Sequence, residues 1–263
     1  MHGGSSKKRS DRLVALLDMV HDRGAMSLVE LAEHLGASPA TIRRDVVELA
    51  SQGLVERTHG SVRAAASADG ELPFHLRDTR QVTVKRAIGR RAALEIPFGR
   101  HAVAFTGGST TATVLRELSE RRDLTVITNS ISIGLQAAEL NMEKVLIAGG
   151  VLRPNSLELG GPLTESTMNL MHIDTAIVGA DGCTVEHGLT THDDVEARTN
   201  RAMVQRAARV VATLDSSKIG HVTKATILGM RNVDVLITDD GASQKVLRRI
   251  RELGVKVIVV DTH

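Results

Sequence analysis

The sequence predicts an α/β protein built from two parts, and three observations support this prediction. The first sixty residues hold three short amphipathic helical patterns followed by a hairpin pattern. After a linker, short apolar runs alternate with helical segments, which is typical of a mostly parallel sheet covered on both faces. The length of 263 residues allows one large domain or two smaller ones.

The first two helices are predicted from their start and stop signals. Ser10 can cap a helix that has apolar residues at i, i+3, i+4 and i+7 and stops at Gly24. Ser27 and Glu30 then form a Ser-x-x-Glu capping box for a second helix, which ends at Gly36.

The third predicted helix begins at Ser38, with Pro39 at its first position, where a missing N–H costs nothing. Its apolar stripe covers one side only, so the opposite face is expected to be available to a partner. Two helices joined by a tight turn, the second exposing small and basic residues, have helix-turn-helix geometry. Arginine in such a position can bind a guanine edge or a phosphate. The DNA-binding candidates in this helix are Ser38, Ala40, Thr41, Arg43 and Arg44.

A hairpin pattern follows and predicts a wing. Residues 54–58 alternate like a strand, His59 lies in a Gly-containing turn, and residues 61–63 can return as a second strand. Arg57 and Arg63 would lie where a hairpin meets DNA, and His59 completes the candidate surface. The alternative is a small helical bundle with solvated arginines. Residues 1–63 hold nine Lys or Arg and eight Asp or Glu, so their basic footprint is weak.

Composition restricts the partners and the compartment. The formal net charge of +2 gives no global attraction to nucleic acid or lipid. The absence of Trp and Tyr argues against binding single strands by stacking. Cys183 is the only cysteine, which fits a reducing compartment, and neither a signal peptide nor a membrane span is expected. We therefore expect a cytoplasmic protein.

The predicted boundaries place the DNA-binding domain at residues 1–63, a small polar linker at 64–72 and an effector-sensing α/β domain at 73–263. A helix is expected over about 83–96. The strands of the mostly parallel sheet are expected at 102–105, 124–128, 145–148, 175–179, 210–214, 233–238 and 256–260.

Ligands of such sheets bind beyond the carboxyl ends of the strands, where several polar clusters fall. The clearest cluster lies between a predicted strand and a predicted helix. Glycine N–H groups, hydroxyls and a helix N-terminus together suit an anion, so this segment is a predicted phosphate cradle. A purely structural turn is the alternative. The cradle consists of Thr106, Gly107, Gly108, Ser109 and Thr110.

Three further clusters bring an amide, a carboxylate and an ammonium to the same rim. Asn129 and Ser130 follow one strand, Asp181 another and Lys218 a third. Turn chemistry and ligand binding explain each of these residues about equally well, because such residues favour turns anyway. Lys218 gains most from lying beside a hydroxyl cradle, since lysine suits phosphate as a point charge. No metal or cofactor is expected.

At this point the chain resembles the DeoR family of bacterial transcription regulators. Arg12, Leu16, Val20 and residues 38–46 resemble the family signature, and residues 53–60 look like its wing. The second part resembles the family's effector-sensing half, which looks like the ribose-5-phosphate isomerase and coenzyme A transferase fold. The resemblance implies a repressor of carbohydrate metabolism genes, relieved or altered by a phosphorylated sugar intermediate. A homo-oligomer is expected, because operators present two half-sites.

Two positions depart from the family pattern. Thr106 stands where an acidic residue is usual, and Asn200 stands where lysine is usual. The effector is therefore expected to differ from the common effectors of the family. A neutral Thr106 should favour anion binding. The alternative function is a phosphosugar isomerase, with Asp181 or Glu196 as general base and Lys218 as electrostatic partner.

Overall fold

The computed structural model describes residues 3–58, 60–65 and 71–262, with side chains from Lys8 onward. The chain divides into two compact units, residues 1–80 and 81–263. No helix among the described residues is long and apolar enough to cross a membrane.

The first unit is a winged helix-turn-helix. Its elements are α1 (Gly3–Arg23), β1 (Met26–Ser27), α2 (Leu28–Leu35), α3 (Pro39–Ser51), β2 (Val55–Thr58), β3 (Ser61–Ala64) and α4 (Phe74–Arg77). The three strands form an antiparallel sheet in the order β1-β3-β2, which packs with the helices.

Local signals explain α2 and α3. The Ser27 hydroxyl accepts from the Glu30 N–H at 3.1 Å while the Glu30 carboxylate accepts from the Ser27 N–H at 2.8 Å, so the capping box is confirmed. Gly36 ends α2 in the left-handed region at φ +58°, a conformation that favours glycine. The Ser38 hydroxyl accepts from the Thr41 N–H, with Pro39 in the first turn as predicted.

The predicted start of the first helix is wrong. Ser10 lies inside α1, which begins at Gly3. The intervening residues include no proline to stop a helix from extending toward the N-terminus. The predicted end is confirmed, because Gly24 follows α1 at φ +79°.

The boundary between the units differs from the expected one. A start of the second domain at residue 73 would leave α4 outside the first unit. Instead Leu76 of α4 is fully buried in the hydrophobic core that also contains Leu13 and Leu16 of α1. Residues 74–80 therefore belong to the first unit, and residues 66–70 of the predicted linker lie outside the described residues.

The second unit is built on a seven-stranded parallel sheet. It confirms all seven predicted strands to within a few residues. The sheet strands are β4 (His101–Phe105), β5 (Leu124–Thr128), β6 (Lys144–Ile147), β9 (Ile173–Val178), β12 (Ala207–Thr213), β14 (Val235–Asp239) and β15 (Lys256–Val260). Their order across the sheet is β15-β14-β12-β9-β4-β5-β6. The helices are α5 (Val82–Ala93), α6 (Ser109–Glu117), α7 (Ile131–Glu139), α8 (Pro162–Asn169), α9 (Asp194–Val204) and α10 (Gln244–Glu252).

Alternate residues of the strands supply two hydrophobic cores. Ala104 and Ala176 face one core, whereas Val103, Phe105 and Ile177 face the other. The sheet is therefore covered on both faces, as predicted for continuous apolar strands.

Five short strands among the described residues of the second unit were not predicted. β7 (Val151–Arg153) and β8 (Glu158–Gly160) form a two-stranded hairpin, and β10 (Gly182–Thr184), β11 (Gly188–Thr191) and β13 (Ala225–Leu228) form a small antiparallel sheet. These strands have three or four residues each, which is too short for a clear alternation signal. Both small sheets follow the carboxyl ends of long strands, so they border the predicted ligand site.

Candidate functional site

Helix α3 presents the predicted face to solvent. Ala40, Arg43 and Arg44 are exposed, whereas Ile42 and Leu49 are fully buried. The cap at Ser38 fixes where the helix begins and so which residues occupy its first two turns. A helix that exposes small and basic residues at its N-terminal end can approach base edges in a major groove.

Ion pairing separates the arginines of this unit into two groups. Arg12 donates to the buried Asp45 at 2.5 and 3.1 Å, and this hydrogen bonding raises the pKa of Arg12. Arg63 of β3 donates to Glu56 of β2 at 2.5 and 2.9 Å. Two further ion pairs are Arg9 with Glu48 and Arg80 with Asp18, and Arg23 forms a hydrogen bond with His34. These arginines bind the unit's own side chains.

Three other arginines of this unit have no such partner. Among the described residues, Arg43, Arg44 and Arg57 make no side-chain hydrogen bond or ion pair, and all three are exposed. Two lie on α3 and one on the hairpin, so these three unpaired arginines fall on the two predicted contact elements. Although the net charge of the unit is small, its unpaired arginines are therefore concentrated on α3 and the hairpin.

The other DNA-binding candidates are Ser38, Thr41 and His59. The hydroxyls of Ser38 and Thr41 lie 2.8 Å apart, and Ser38 caps α3, so both mainly hold the helix start. His59 lies outside the described residues. The hairpin around it is closed by the Thr58 hydroxyl, which donates to the Ser61 carbonyl at 3.3 Å.

In the second unit, the predicted cradle lies between β4 and α6. No hydrogen bond among the described residues uses the N–H groups of residues 107–111, and none uses the Ser109 or Thr110 hydroxyl. Ser109 and Thr110 are nevertheless almost fully buried. A helix N-terminus with unused N–H donors and two unused hydroxyls can bind an anion.

Thr106 has a structural role in this arrangement. It is fully buried, and its hydroxyl accepts from the Gly179 N–H at 3.0 Å. This bond joins the loop after β4 to the loop after β9. Its hydroxyl is thereby directed at Gly179, so Thr106 positions the cradle.

A carboxylate lies against the cradle. A Cβ atom at Gly107 would come within 2.7 Å of Glu158 Cδ, so only glycine leaves room for that side chain. Glu158 begins β8 and is 6% exposed. Glu158 thus places a carboxylate beside the cradle, from a hairpin that the sequence did not predict.

Two asparagines hold Glu158 from the other side. Asn129 Nδ2 donates to Glu158 Oε2 at 3.0 Å, and Asn200 Nδ2 donates to the same oxygen at 3.1 Å. Asn129 Nδ2 also lies 3.2 Å from Asn200 Oδ1. All three side chains are buried, and Asn129 Oδ1 accepts no hydrogen bond from the described residues.

A second polar network surrounds Asp181. The Thr191 hydroxyl lies within hydrogen-bond distance of Asp181 Oδ2, at 2.9 Å, and of Glu196 Oε2, at 3.3 Å. Glu196 also accepts from the Ser156 hydroxyl and from Arg153 Nη1, the latter at 3.1 Å. The Glu158 N–H donates to Ser156 Oγ at 3.4 Å, so the two networks are continuous. The structure thus brings Asn129 and Asp181 to one polar wall beside the cradle.

Ser130 and Lys218 are placed differently. The Ser130 hydroxyl caps α7, accepting from the Ile133 N–H at 3.4 Å. Lys218 lies in a 3₁₀ turn after β12, and Gly220 two residues later donates to the Cys183 carbonyl at 2.8 Å. The Lys218 segment thus runs beside the Asp181 loop. Among the described residues its ammonium group has no partner, and no hydrogen bond joins it to the cradle.

Sequence reasoning missed three residues of this wall, namely Arg153, Ser156 and Glu158. All belong to the β7–β8 hairpin, and no motif marks them. The only available signal was the pair of Gly-Gly dipeptides that flank the hairpin.

Comparisons with known proteins agree with both units. The family model described as the DeoR-like helix-turn-helix domain matches residues 12–68, and the DeoR C terminal sensor domain matches residues 80–240. The chain is 34% identical to the HTH-type transcriptional regulator GlpR of Haloferax volcanii over 95% of this chain and 97% of that protein. It is 31% identical to the glycerol-3-phosphate regulon repressor of Escherichia coli over 88% and 91% of the two chains.

A solved structure is also similar. Ribose 5-phosphate isomerase A from Methanocaldococcus jannaschii is similar over 51% of this chain and 53% of that chain, with a TM-score of 0.38 and 17% identity. The α/β fold class of the second unit rests on its own parallel sheet topology. With its two family domains in the expected order, the chain belongs to the DeoR family of helix-turn-helix regulators.

Proposed function

We propose that this protein is a DNA-binding transcriptional repressor of carbohydrate metabolism genes, controlled by a phosphorylated sugar intermediate. The first unit binds an operator and the second senses the effector. The observation that carries the proposal is the distribution of unpaired arginines. Arg43, Arg44 and Arg57 remain without partners while the neighbouring arginines pair with their own unit.

The physical argument for double-stranded DNA rests on groove dimensions and charge. An α-helix fits the major groove, and its N-terminal residues reach base edges. Arg43 and Arg44 occupy the first two turns of α3, where a bidentate contact to guanine is possible. Arg57 on the hairpin supplies a phosphate contact. One such unit offers few cations, so two copies on adjacent half-sites supply the affinity, which supports a homo-oligomer.

The effector site is the cradle together with the polar wall. Unused N–H groups at the start of α6 and the buried hydroxyls of Ser109 and Thr110 favour a phosphate group. Lys218 adds a cation on the same rim. The name of the Escherichia coli relative refers to glycerol-3-phosphate, which is a phosphate monoester and fits this chemistry.

Control of DNA binding follows from population shift. An effector changes operator affinity only if it prefers one conformation of the protein. A coupling free energy of about 1–3 kcal/mol changes that affinity roughly 5- to 150-fold.

The isomerase alternative has less support. Glu196 already accepts hydrogen bonds from Ser156, Arg153 and Thr191, which leaves it poorly placed to take a substrate proton. Incubation with pentose and hexose phosphates, followed by analysis for interconversion, tests this alternative directly.

Two measurements test the proposed function. The full chain should bind the DNA upstream of its own gene more tightly than a random duplex of equal length at the same salt concentration. Equal affinities would contradict specific binding. In a thermal-shift screen, phosphorylated sugars should raise the melting temperature and their unphosphorylated parents should not. A screen without any stabilising phosphate ester would contradict the sensor assignment.

A further inference from the structure

The position of Glu158 raises a question about which phosphate esters the cradle accepts. Its carboxylate lies against Gly107, at the start of the cradle. A buried negative charge beside an anion site disfavours the anion unless it contributes a contact of its own. The carboxyl group is also held in place, because Asn129 and Asn200 both donate to one of its oxygens.

The orientation of the Asn129 amide supports a contact with the ligand. Asn129 Nδ2 has three acceptors within 3.2 Å, namely Glu158 Oε2, the Leu159 carbonyl and Asn200 Oδ1. These three contacts fix the orientation of the Asn129 amide, so that its oxygen, Oδ1, faces away from the three acceptors. That oxygen is buried and accepts no hydrogen bond from the described residues. A buried acceptor without a donor costs free energy that a ligand donor can recover.

Hydrogen-bond acceptors dominate this wall. Further along it lie the carboxylates of Asp181 and Glu196, and the Arg153 guanidinium is already within 3.1 Å of Glu196 and 3.4 Å of Asp193. Such a wall matches donors on the ligand, and hydroxyl groups are the donors that a phosphorylated sugar or polyol carries. A second anionic group would meet repulsion there.

We propose that Glu158, held by Asn129 and Asn200, is a specificity-determining residue of the effector site. It selects phosphate monoesters that carry a hydroxyl on the carbon next to the phosphate-bearing carbon. With the phosphate on the cradle, this hydroxyl donates to the acceptor group formed by Glu158 and Asn129. The inference rests on the proposed function, because it assumes that the cradle binds the effector phosphate.

The test compares two ligands that differ only in that hydroxyl, glycerol 3-phosphate and propane-1,3-diol monophosphate. Their dissociation constants are measured by calorimetry on the full chain and on the Glu158→Gln variant. Wild type should bind glycerol 3-phosphate at least about tenfold more tightly, the effect of one hydrogen bond to a charged acceptor. In Glu158→Gln the preference should fall by about tenfold, because a neutral amide is a weaker acceptor.

Controls separate the possible outcomes. Glu143→Gln, an exposed glutamate directly before β6, should retain the wild-type preference. Glu158→Asp keeps the charge but withdraws it by one methylene, so it should also lose preference, and melting temperatures without ligand verify that each variant is folded. Equal binding of the two ligands by wild type, or an unchanged preference in folded Glu158→Gln, would overturn the assignment of Glu158. Failure of both ligands and of inorganic phosphate to bind wild type would instead overturn the cradle itself and the proposed effector with it.

Discussion

The substitution Arg44→Ala tests DNA recognition most sharply, because the structure predicts separate effects on stability and on binding. Arg44 is exposed and has no partner among the described residues, so its removal should change the free energy of unfolding by no more than about 0.5 kcal/mol. If it contacts a base edge, operator binding should weaken by about 1–3 kcal/mol, roughly 5- to 150-fold. The binding assay is fluorescence anisotropy with the upstream duplex and with a random duplex.

Two variants make the result interpretable. Arg251→Ala removes an exposed arginine from α10 and should leave operator affinity unchanged. Arg12→Ala breaks the pair with Asp45, which is 2% exposed, and should cost about 3–5 kcal/mol of stability. An equal loss of affinity for operator and random duplex would refute base reading by Arg44. In that case Arg44 would be a phosphate contact, and the slope of log affinity against log salt concentration should be smaller in the variant by about one.

Four further predictions concern the two units separately. Lys218→Ala should lose the thermal shift produced by phosphate esters, and an unchanged shift would remove Lys218 from the site. Burial opposes ionisation of Glu95, but hydrogen bonds from Arg209, Lys256 and Arg91 hold its pKa at about 2. Its stabilisation is therefore present above pH 4.5 and lost as the pH falls toward 2, so the melting temperature of Glu95→Gln should lie below that of wild type at pH 7 and converge with it in acid. Ser27→Ala should cost about 1 kcal/mol in chemical denaturation, since it removes the cap of α2, and an unchanged midpoint would contradict that role. Burial raises the pKa of Cys183 to about 12, so native protein at pH 8 should resist iodoacetamide until it is unfolded.

Most of the architecture followed from local patterns. The strands at residues 124–128 and 256–260 were predicted at their observed bounds, because the strands of a parallel sheet covered by helices are short apolar runs between turns. The capping box of α2 involves only neighbouring residues, so it too can be read from the sequence.

The features that the sequence did not reveal depend on contacts distant in sequence. The Thr106 hydroxyl accepts from the Gly179 N–H, seventy-three positions away. Glu158 reaches the cradle through a hairpin of two three-residue strands, a length that gives no periodicity. The residues on a site wall are therefore fixed by tertiary packing, whereas the cradle on a strand-to-helix turn is local.

The account depends on communication between the DNA-binding unit and the anion site. Its most direct test titrates phosphate monoesters and their unphosphorylated parents into the full chain bound to its upstream duplex, with anisotropy as the readout. At least one phosphate ester should change the dissociation constant for DNA by fivefold or more, and its parent sugar should not. DNA affinity unaffected by every phosphate ester, or equal affinity for any duplex, would contradict the account.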